Sequence, residues 1–337
     1  MQQEYFIRSA SLSGIDTLVA ELGGDINSLL NQCQLMAQDL RNPDNLIAFS
    51  SMINLLELAS EQLSCNDFGL RLAAKQGIDM LGAVGLIIQS SRSVREALIY
   101  AQRYMAIHSH GEYWMLREFN LSVSIERYQV FQDINHARQY KELSFGVCLG
   151  LIKTLIGSQV KLERLEFAHA EISDAGIYRK YFECPVVFNQ ENDRLIINNS
   201  YLTQPLQVVS DLNRNQAEAY LELLVGQLGD DIERKVKTLI LQTMGMHNAN
   251  INEIAAMLNM NRRTLQRRLA IHGLTFKALL AEVRVSTACW HLTSSHIDIT
   301  LLSEMLGYSG VSAFSKSFKQ TVGHSPLQWR KLSRNSL

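Results

Sequence analysis

Cysteine is scarce and scattered: Cys33, Cys65, Cys148, Cys184 and Cys289 are five in number, with no C-x-x-C pair. An odd, dispersed set argues against a disulfide framework and against a metal site, and suits a reducing compartment. Long apolar runs are also missing. The longest, 81–88 and 145–152, fall far short of the ~20 residues that span a bilayer. Arg8 and Asp16 interrupt the N-terminal stretch, which is unlike a secretory signal. The expectation is a cytoplasmic protein with no membrane partner.

Catalytic signatures are absent as well. There is no Gly-rich phosphate loop, no G-x-S-x-G elbow and no H-E-x-x-H pair. No acidic cluster with a phosphoacceptor follows a strand, as a phosphorylated response regulator would need. The chain is expected to be no enzyme and to need no cofactor.

What is present is a globular composition, 47% hydrophobic and 19% charged, in a chain of 337 residues that suits two domains. The net charge of −1 conceals a division. From Arg234 onward there are 14 Lys and Arg against 4 Asp and Glu; before it, 18 against 29. A basic end on an acidic remainder is the electrostatic footprint of a nucleic-acid-binding domain.

Periodicity predicts helices over 11–22, 25–30, 50–63 continuing through 68–75, and 93–108, the last opening with a Ser93/Glu96 capping box. Alternation predicts a hairpin, 113–119 with 121–130, turning at Asn120. A buried helix over 140–156, a strand over 164–170 and a helix over 175–182 follow. Strands 185–188 and 194–197 are expected to pair across the turn between them. After a helix over 205–225, the stretch GQLGDD reads as a hinge. The expected architecture is an α+β sensory and dimerisation domain over 1–229, then an all-α domain over 230–337.

That second domain holds two helix-turn-helix patterns. In the first, Ile254, Ala255 and Leu258 mark the core face of a supporting helix, and residues 259–261 turn, with Asn suited to a left-handed position. In the helix that follows, Leu265 and Leu269 face inward, and Arg263, Gln266 and Arg267 share the outward strip. Arg pairs bidentately with guanine, and Gln with adenine. Asn261 and Arg262 stand at the start of this helix, beside the same surface. In the second unit Leu302, Leu306, Phe314 and Phe318 repeat the core pattern about 48 residues later. Its outward strip, Val311, Ser312, Ala313 and Lys316, with Lys319 beyond, offers apolar contact to thymine methyls and charge to phosphate. The segment 275–294 between the units reads as a helix about 30 Å long, close to the ~34 Å that separates successive major grooves. One chain would thus read double-stranded DNA at two places.

TLQRRLAIHGLTFKALLAEVRVSTACWHL and LGYSGVSAFSKSFKQTVGHSPLQWRK resemble the AraC/XylS family of bacterial transcription regulators over about 100 residues, including the closing Gly323, Ser325, Pro326, Trp329 and Arg330. DMLGAVGL at 79–86 and 181–206 resemble the arabinose-binding-type N-terminal domain of a subgroup that includes ornithine- and arginine-use regulators. They do not resemble the cupin-like barrel of the arabinose sensor. The resemblance implies a homodimer with a small-molecule effector, binding promoter half-sites in the nucleoid, with RNA polymerase as a further partner. Two departures stand out. Leu301, Leu302 and Ser303 replace the usual acid, Ile and Ala, and Lys316 replaces the usual Arg, a point charge instead of a fork.

For the effector, the densest aromatic and polar cluster is Tyr104, His108, His110 and Trp114, with no carboxylate or cysteine spaced to make it a metal site. Two rival classes fit the sequence less well. A DNA-modifying or DNA-repair enzyme with a similar module needs a reactive cysteine, and Cys184 beside Pro185 suits packing better. A nucleoid-structuring protein has no use for a large acidic domain.

Overall fold

The computed structural model describes residues 5–129, 137–206, 232–244, 249–258, 260–294 and 297–334. The chain divides into two compact units. One comprises Met1–Ala101, His108–Gln129 and Asp133–Ala217; the other comprises Gln102–Ile107, Val130–Gln132 and Glu218–Leu337. The boundary expected at 229/230 and the hinge before it lie outside the described residues. So does most of the helix expected over 205–225, but Pro205 itself forms a β-bridge with Ser93 and is not helical.

The first unit opens with a ribbon, β1 (Phe6–Arg8) antiparallel to β2 (Leu46–Ala48). Around it lie α1 (Ile15–Glu21), α2 (Ile26–Gln32), α3 (Phe49–Gln62), α4 (Phe68–Ala73) and α5 (Ala83–Gln89); α6 (Val94–His108) comes next in the chain. Apolar spacing places these helices well and their ends less well. Residues 9–12 form a 3-10 turn, so α1 starts only after the left-handed Gly14. Asp25 caps α2 as expected, accepting the Asn27 N–H at 3.0 Å. The run 50–75 is two helices, because Ser64 takes φ 51 and breaks the hydrogen-bond ladder. At α6, the Ser93 hydroxyl accepts the Glu96 N–H at 3.2 Å, but the Glu96 carboxylate takes the Arg92 N–H rather than Ser93's own. The box is therefore one residue wider than its motif.

β3 (Glu112–Glu118) and β4 (Ser122–Gln129) form the expected hairpin, closed by the Phe119 N–H on the Ser122 carbonyl at 2.8 Å. With β5 (Leu162–Glu166), β6 (Val186–Val187) and β7 (Asp193–Asn198) they make a five-stranded sheet, order β3-β4-β7-β5-β6. The expected pairing of 185–188 with 194–197 is wrong. β5 lies between them, antiparallel to β7 and parallel to β6. The expected strand over 164–170 also runs earlier, from Leu162.

α7 (Arg138–Ile156) and α8 (Ala175–Phe182) supply the helical side of this core. Phe145, Leu149 and Ile152 of α7 cluster with Val123, Ile125, Leu195 and Ile197 of the sheet. Burying each such side chain stabilises the fold by about 1.5–3 kcal/mol. Toward Glu112 the packing becomes polar. Arg127 donates to Glu112 at 2.5 Å, Tyr140 donates to Glu112 at 2.9 Å, and Lys141 pairs with Asp193 at 3.3 Å. All five are buried, so each charge has a partner where an unpaired one would be costly.

In the second unit, α9 (Ile232–Met244), α10 (Ile251–Met257), α11 (Arg262–Ile271), α12 (Phe276–Ser294), α13 (Ile299–Met305), α14 (Val311–Val322) and α15 (Pro326–Arg334) follow in order. α9 and α15 both pack on α12. Val236, Leu239 and Ile240 of α9 are fully buried, and Lys237 reaches Glu282 of α12 at 2.5 Å.

Candidate nucleic-acid interface

The first helix-turn-helix is built from its caps outward. The Asn250 side chain accepts the N–H groups of Asn252 and Glu253 and starts α10. Ile254, Ala255, Met257 and Leu258 are buried, and the Met260 N–H returns to the Ala255 carbonyl at 2.8 Å. Of the two Asn residues of this turn, Asn259 lies outside the described residues and Asn261 is not left-handed. Asn261, with φ −82° and ψ 160°, is an extended N-cap whose side-chain Oδ1 accepts the Thr264 N–H at 2.9 Å. A capping Asn has its acceptor occupied, so base contact would fall to its amide N–H groups.

α11 divides cleanly. Leu265 and Leu269 are completely buried, while Arg262, Arg263, Gln266, Arg267 and Arg268 are exposed. The helix is held through one apolar strip and presents guanidinium and amide groups on the other. Arg268 adds a cation that the sequence reading passed over.

α12 has 19 residues, so at 1.5 Å per residue it is about 28 Å long. Leu279, Val283, Ala288 and Leu292 are buried along it.

The second helix-turn-helix starts at Asp298, whose carboxylate accepts the Thr300 N–H at 2.7 Å and the Leu301 N–H at 3.3 Å. The hydrogen bonds from Thr300 and then Leu301 hold this carboxyl below its usual range. Leu302, Ser303, Met305 and Leu306 are buried, and Leu301 is half-buried. The loop to α14 is one residue longer than the loop in the first unit. Gly307, at φ 69°, makes that longer turn in a conformation that L side chains rarely adopt. Phe314 and Phe318 are buried; Ser312, Ala313, Lys316 and Lys319 are exposed, and Val311 is half-buried.

The closing G-x-S-P-x-x-W-R has a structural task at each position. Gly323 ends α14 in the left-handed conformation. The Ser325 hydroxyl and the Gln328 side chain exchange hydrogen bonds with each other's N–H, a capping box that starts α15 at Pro326. Trp329 stands edge-on to Phe318 at 6.3 Å, and Arg330 donates to the Ile297 carbonyl. Arg284 of α12, absent from the sequence-based selection, donates to the Gly307 carbonyl at 2.8 Å and covers the Tyr308 ring at 4.6 Å. Its partners are a backbone oxygen and a ring in a distant turn, which no local motif signals.

Of the expected effector cluster, Tyr104, His108 and His110 are buried and Trp114 is half-buried. His108 is buried with Nε2 3.0 Å from the Ser11 hydroxyl, and burial, with Arg8 nearby, pushes it down to about 3. The His110 N–H donates to the Phe6 carbonyl at 2.8 Å. Trp114 packs against Phe145 with ring centroids 5.3 Å apart. Tyr104 is buried. None of the four lines the cleft beside α8 or the one between α1 and α2. Burial pushes the thiols up, Cys184 to about 11, so they are poor nucleophiles. Among the described residues no three His, Cys, Asp or Glu side chains gather as metal ligands, and no helix is long and apolar enough to cross a membrane.

Comparison with known proteins agrees with both halves. Residues 23–206 match a family described as the arabinose-binding domain of AraC transcription regulator, N-terminal, and residues 254–332 match a helix-turn-helix domain. The HTH-type transcriptional regulator VirS of Mycobacterium tuberculosis is 27% identical over 332 residues, covering 98% of both chains. The ornithine utilization regulator of Pseudomonas aeruginosa is 23% identical over 331 residues, covering 93% of both. The crystal structure of the transcriptional regulator CdpR from Pseudomonas aeruginosa is 21% identical, with TM-score 0.44, covering 90% of this chain and 96% of that one. Such relatives are regulators, not enzymes. With one family description spanning more than half its length and a DNA-binding fold completing it, the chain belongs to the AraC family of ligand-responsive, DNA-binding transcription regulators.

Proposed function

We propose that the protein is a one-component regulator in which each chain of a homodimer reads two successive major grooves, with an effector bound by the first unit. The observation that carries this is the two-sided α11: Leu265 and Leu269 are 0% exposed, and Arg263, Gln266 and Arg267 share the opposite surface. That arrangement holds a recognition helix rigidly while leaving bidentate donors free for base edges. The second unit contributes differently. Lys316 and Lys319, beside the small Ser312 and Ala313, suit phosphate and methyl contact, so it sets register while the first unit reads sequence. The division of labour falls near residue 229, and RNA polymerase is the further partner at the promoter.

The test is a salt titration of binding to promoter DNA from the protein's own operon region. A dimer neutralising several phosphates gives log affinity that falls steeply with log salt, by about 0.9 per phosphate contact. A flat response would sink the reading. Sedimentation of the free protein tests the dimer.

A further inference from the structure

The two edges of the five-stranded sheet are unlike. β6 is two residues long and follows Pro185, which carries no N–H, so its edge is short and blunted. β3 is seven residues long, EYWMLRE, with no proline, glycine or lysine to discourage pairing. Within the sheet it pairs with β4 alone.

The bond that closes the hairpin fixes which groups of β3 point outward. The Phe119 N–H donates to the Ser122 carbonyl, so Phe119, Arg117, Met115 and Tyr113 direct their backbone groups at β4. The N–H and C=O of Trp114, Leu116 and Glu118 therefore point away from it, and among the described residues no strand takes them up. The same alternation turns the His110 N–H outward, but that group is occupied, donating to Phe6 of β1 at 2.8 Å. The open edge thus runs from Trp114 to the hairpin tip. The tip is apolar: Phe119 is 53% exposed and Leu121 76%. An edge of this kind is a template for another strand.

Charge and register fit that strand to a second copy of β3. Two copies pair antiparallel about a two-fold axis, with outward groups meeting outward groups. An axis at Trp114 would carry Glu118 into residue 110, where β1 already lies. An axis at Met115 sets Glu112 against the partner's Glu118. An axis at Arg117 or Glu118 sets that charge against its own copy, and like charges directly opposite are unfavourable. Leu116 is free of each conflict. With the axis there, Leu116 meets its own copy, Trp114 faces the partner's Glu118, and Met115 faces the partner's Arg117. The outward residues then exchange about six main-chain hydrogen bonds across the junction.

We propose that two copies of the chain join along β3, antiparallel about Leu116, so that their sheets become continuous and the exposed Phe119 comes against the partner chain. The proposal rests on reading the protein as a homodimer.

The experiment is sedimentation of the full-length protein, joined to a cross-linking assay. The wild type should sediment as a dimer at micromolar concentration. Glu118→Pro combined with Leu121→Lys changes exposed positions only. Proline at 118 leaves the ladder with β4 intact, because that N–H points outward. The pair should raise the dimer Kd roughly tenfold or more, as losing two hydrogen bonds and an apolar contact implies, with an unchanged circular dichroism spectrum. Leu116 and its copy would have α-carbons about 5.5 Å apart, inside the roughly 4.4–6.8 Å that a disulfide spans. Mild oxidation should therefore link two chains of Leu116→Cys, and should not link the wild type or Glu118→Cys, which lies off the axis. A dimer that the double variant leaves unchanged, or equal linking at 116 and 118, would overturn this interface while keeping the homodimer. A wild type that stays monomeric, on promoter DNA as well, would overturn the homodimer itself. Should Leu116→Cys fail to fold, sedimentation of the double variant decides.

Discussion

Arg284, at the middle of the long helix α12, donates to the Gly307 carbonyl at 2.8 Å, across the turn of the second helix-turn-helix. Its guanidinium lies over Tyr308, whose hydroxyl donates to Ser317 of α14 at 3.1 Å. The connecting helix therefore grips the second reading helix through a fork, a ring and a hydroxyl. A hydrogen bond to a charged group contributes about 1.5–3 kcal/mol. We expect Arg284→Met to lower stability by about that amount in urea melts, and to cut affinity for DNA carrying both half-sites toward that for one. Arg284→Lys should rescue little, because an ammonium lacks the planar fork. Wild-type binding to two-site DNA by Arg284→Met would mean that other contacts set the second helix.

Close packing of α4 on α7 makes a second point of sensitivity. A Cβ at Gly69 would sit 2.1 Å from the Gln139 carbonyl oxygen, a backbone atom that cannot swing aside. The Gln139 side chain also accepts the Gly69 N–H at 2.8 Å and donates to the Asn66 carbonyl at 2.7 Å. Gly69→Ala should destabilise the first unit by about 3 kcal/mol, the upper end for overpacking. Calorimetry would show a lower melting transition for that unit, with α9–α15 melting as before if the units unfold independently.

Much of the second unit was legible because its signals are local. Leu265 with Leu269, and Phe314 with Phe318, stand four residues apart, so each pair acts within about one turn of helix. The sheet was not legible in the same way. Strands 185–188 and 194–197 look like a hairpin, yet Leu162–Glu166 comes from upstream to separate them, and pairing with a distant strand leaves no mark on either. Nor does the local sequence show that His108 stands beside the Ser11 hydroxyl, 97 residues earlier. Glu142 is a similar case. An acid inside an apolar helix looks like an ordinary solvent-facing position until the fold shows it completely buried.

The two reading helices should respond differently to truncation. Arg267 is exposed on α11 beside Arg263 and Gln266, where a fork can reach a guanine. Arg267→Ala should cost about 1–3 kcal/mol on the preferred sequence and relax discrimination at one base position. Lys316→Ala should weaken binding to all sequences alike and reduce the salt slope by about one contact. Competition binding against randomised half-sites, repeated at several salt concentrations, reads both effects. Uniform weakening by Arg267→Ala would move base reading elsewhere.

Stability should fall on both sides of neutrality, through different groups. Burial pushes His108 down to about 3 and His169 to about 4, against an ordinary value of 6.5. In that range the unfolded chain binds protons that the folded protein does not, so their contribution is complete above 6.5 and is lost as pH falls toward 4 and 3. Glu142 runs the other way. Its carboxyl, ordinarily at 4.5, is pushed up to about 8, so the folded state holds the proton more tightly. Its contribution is complete below 4.5 and is lost as pH rises toward 8. Urea midpoints measured across this range should therefore give a dome, and Glu142→Gln should flatten its alkaline side while leaving the acid side in place. A variant whose alkaline limb still falls as steeply as the wild type's would show that Glu142 is not the group that titrates there.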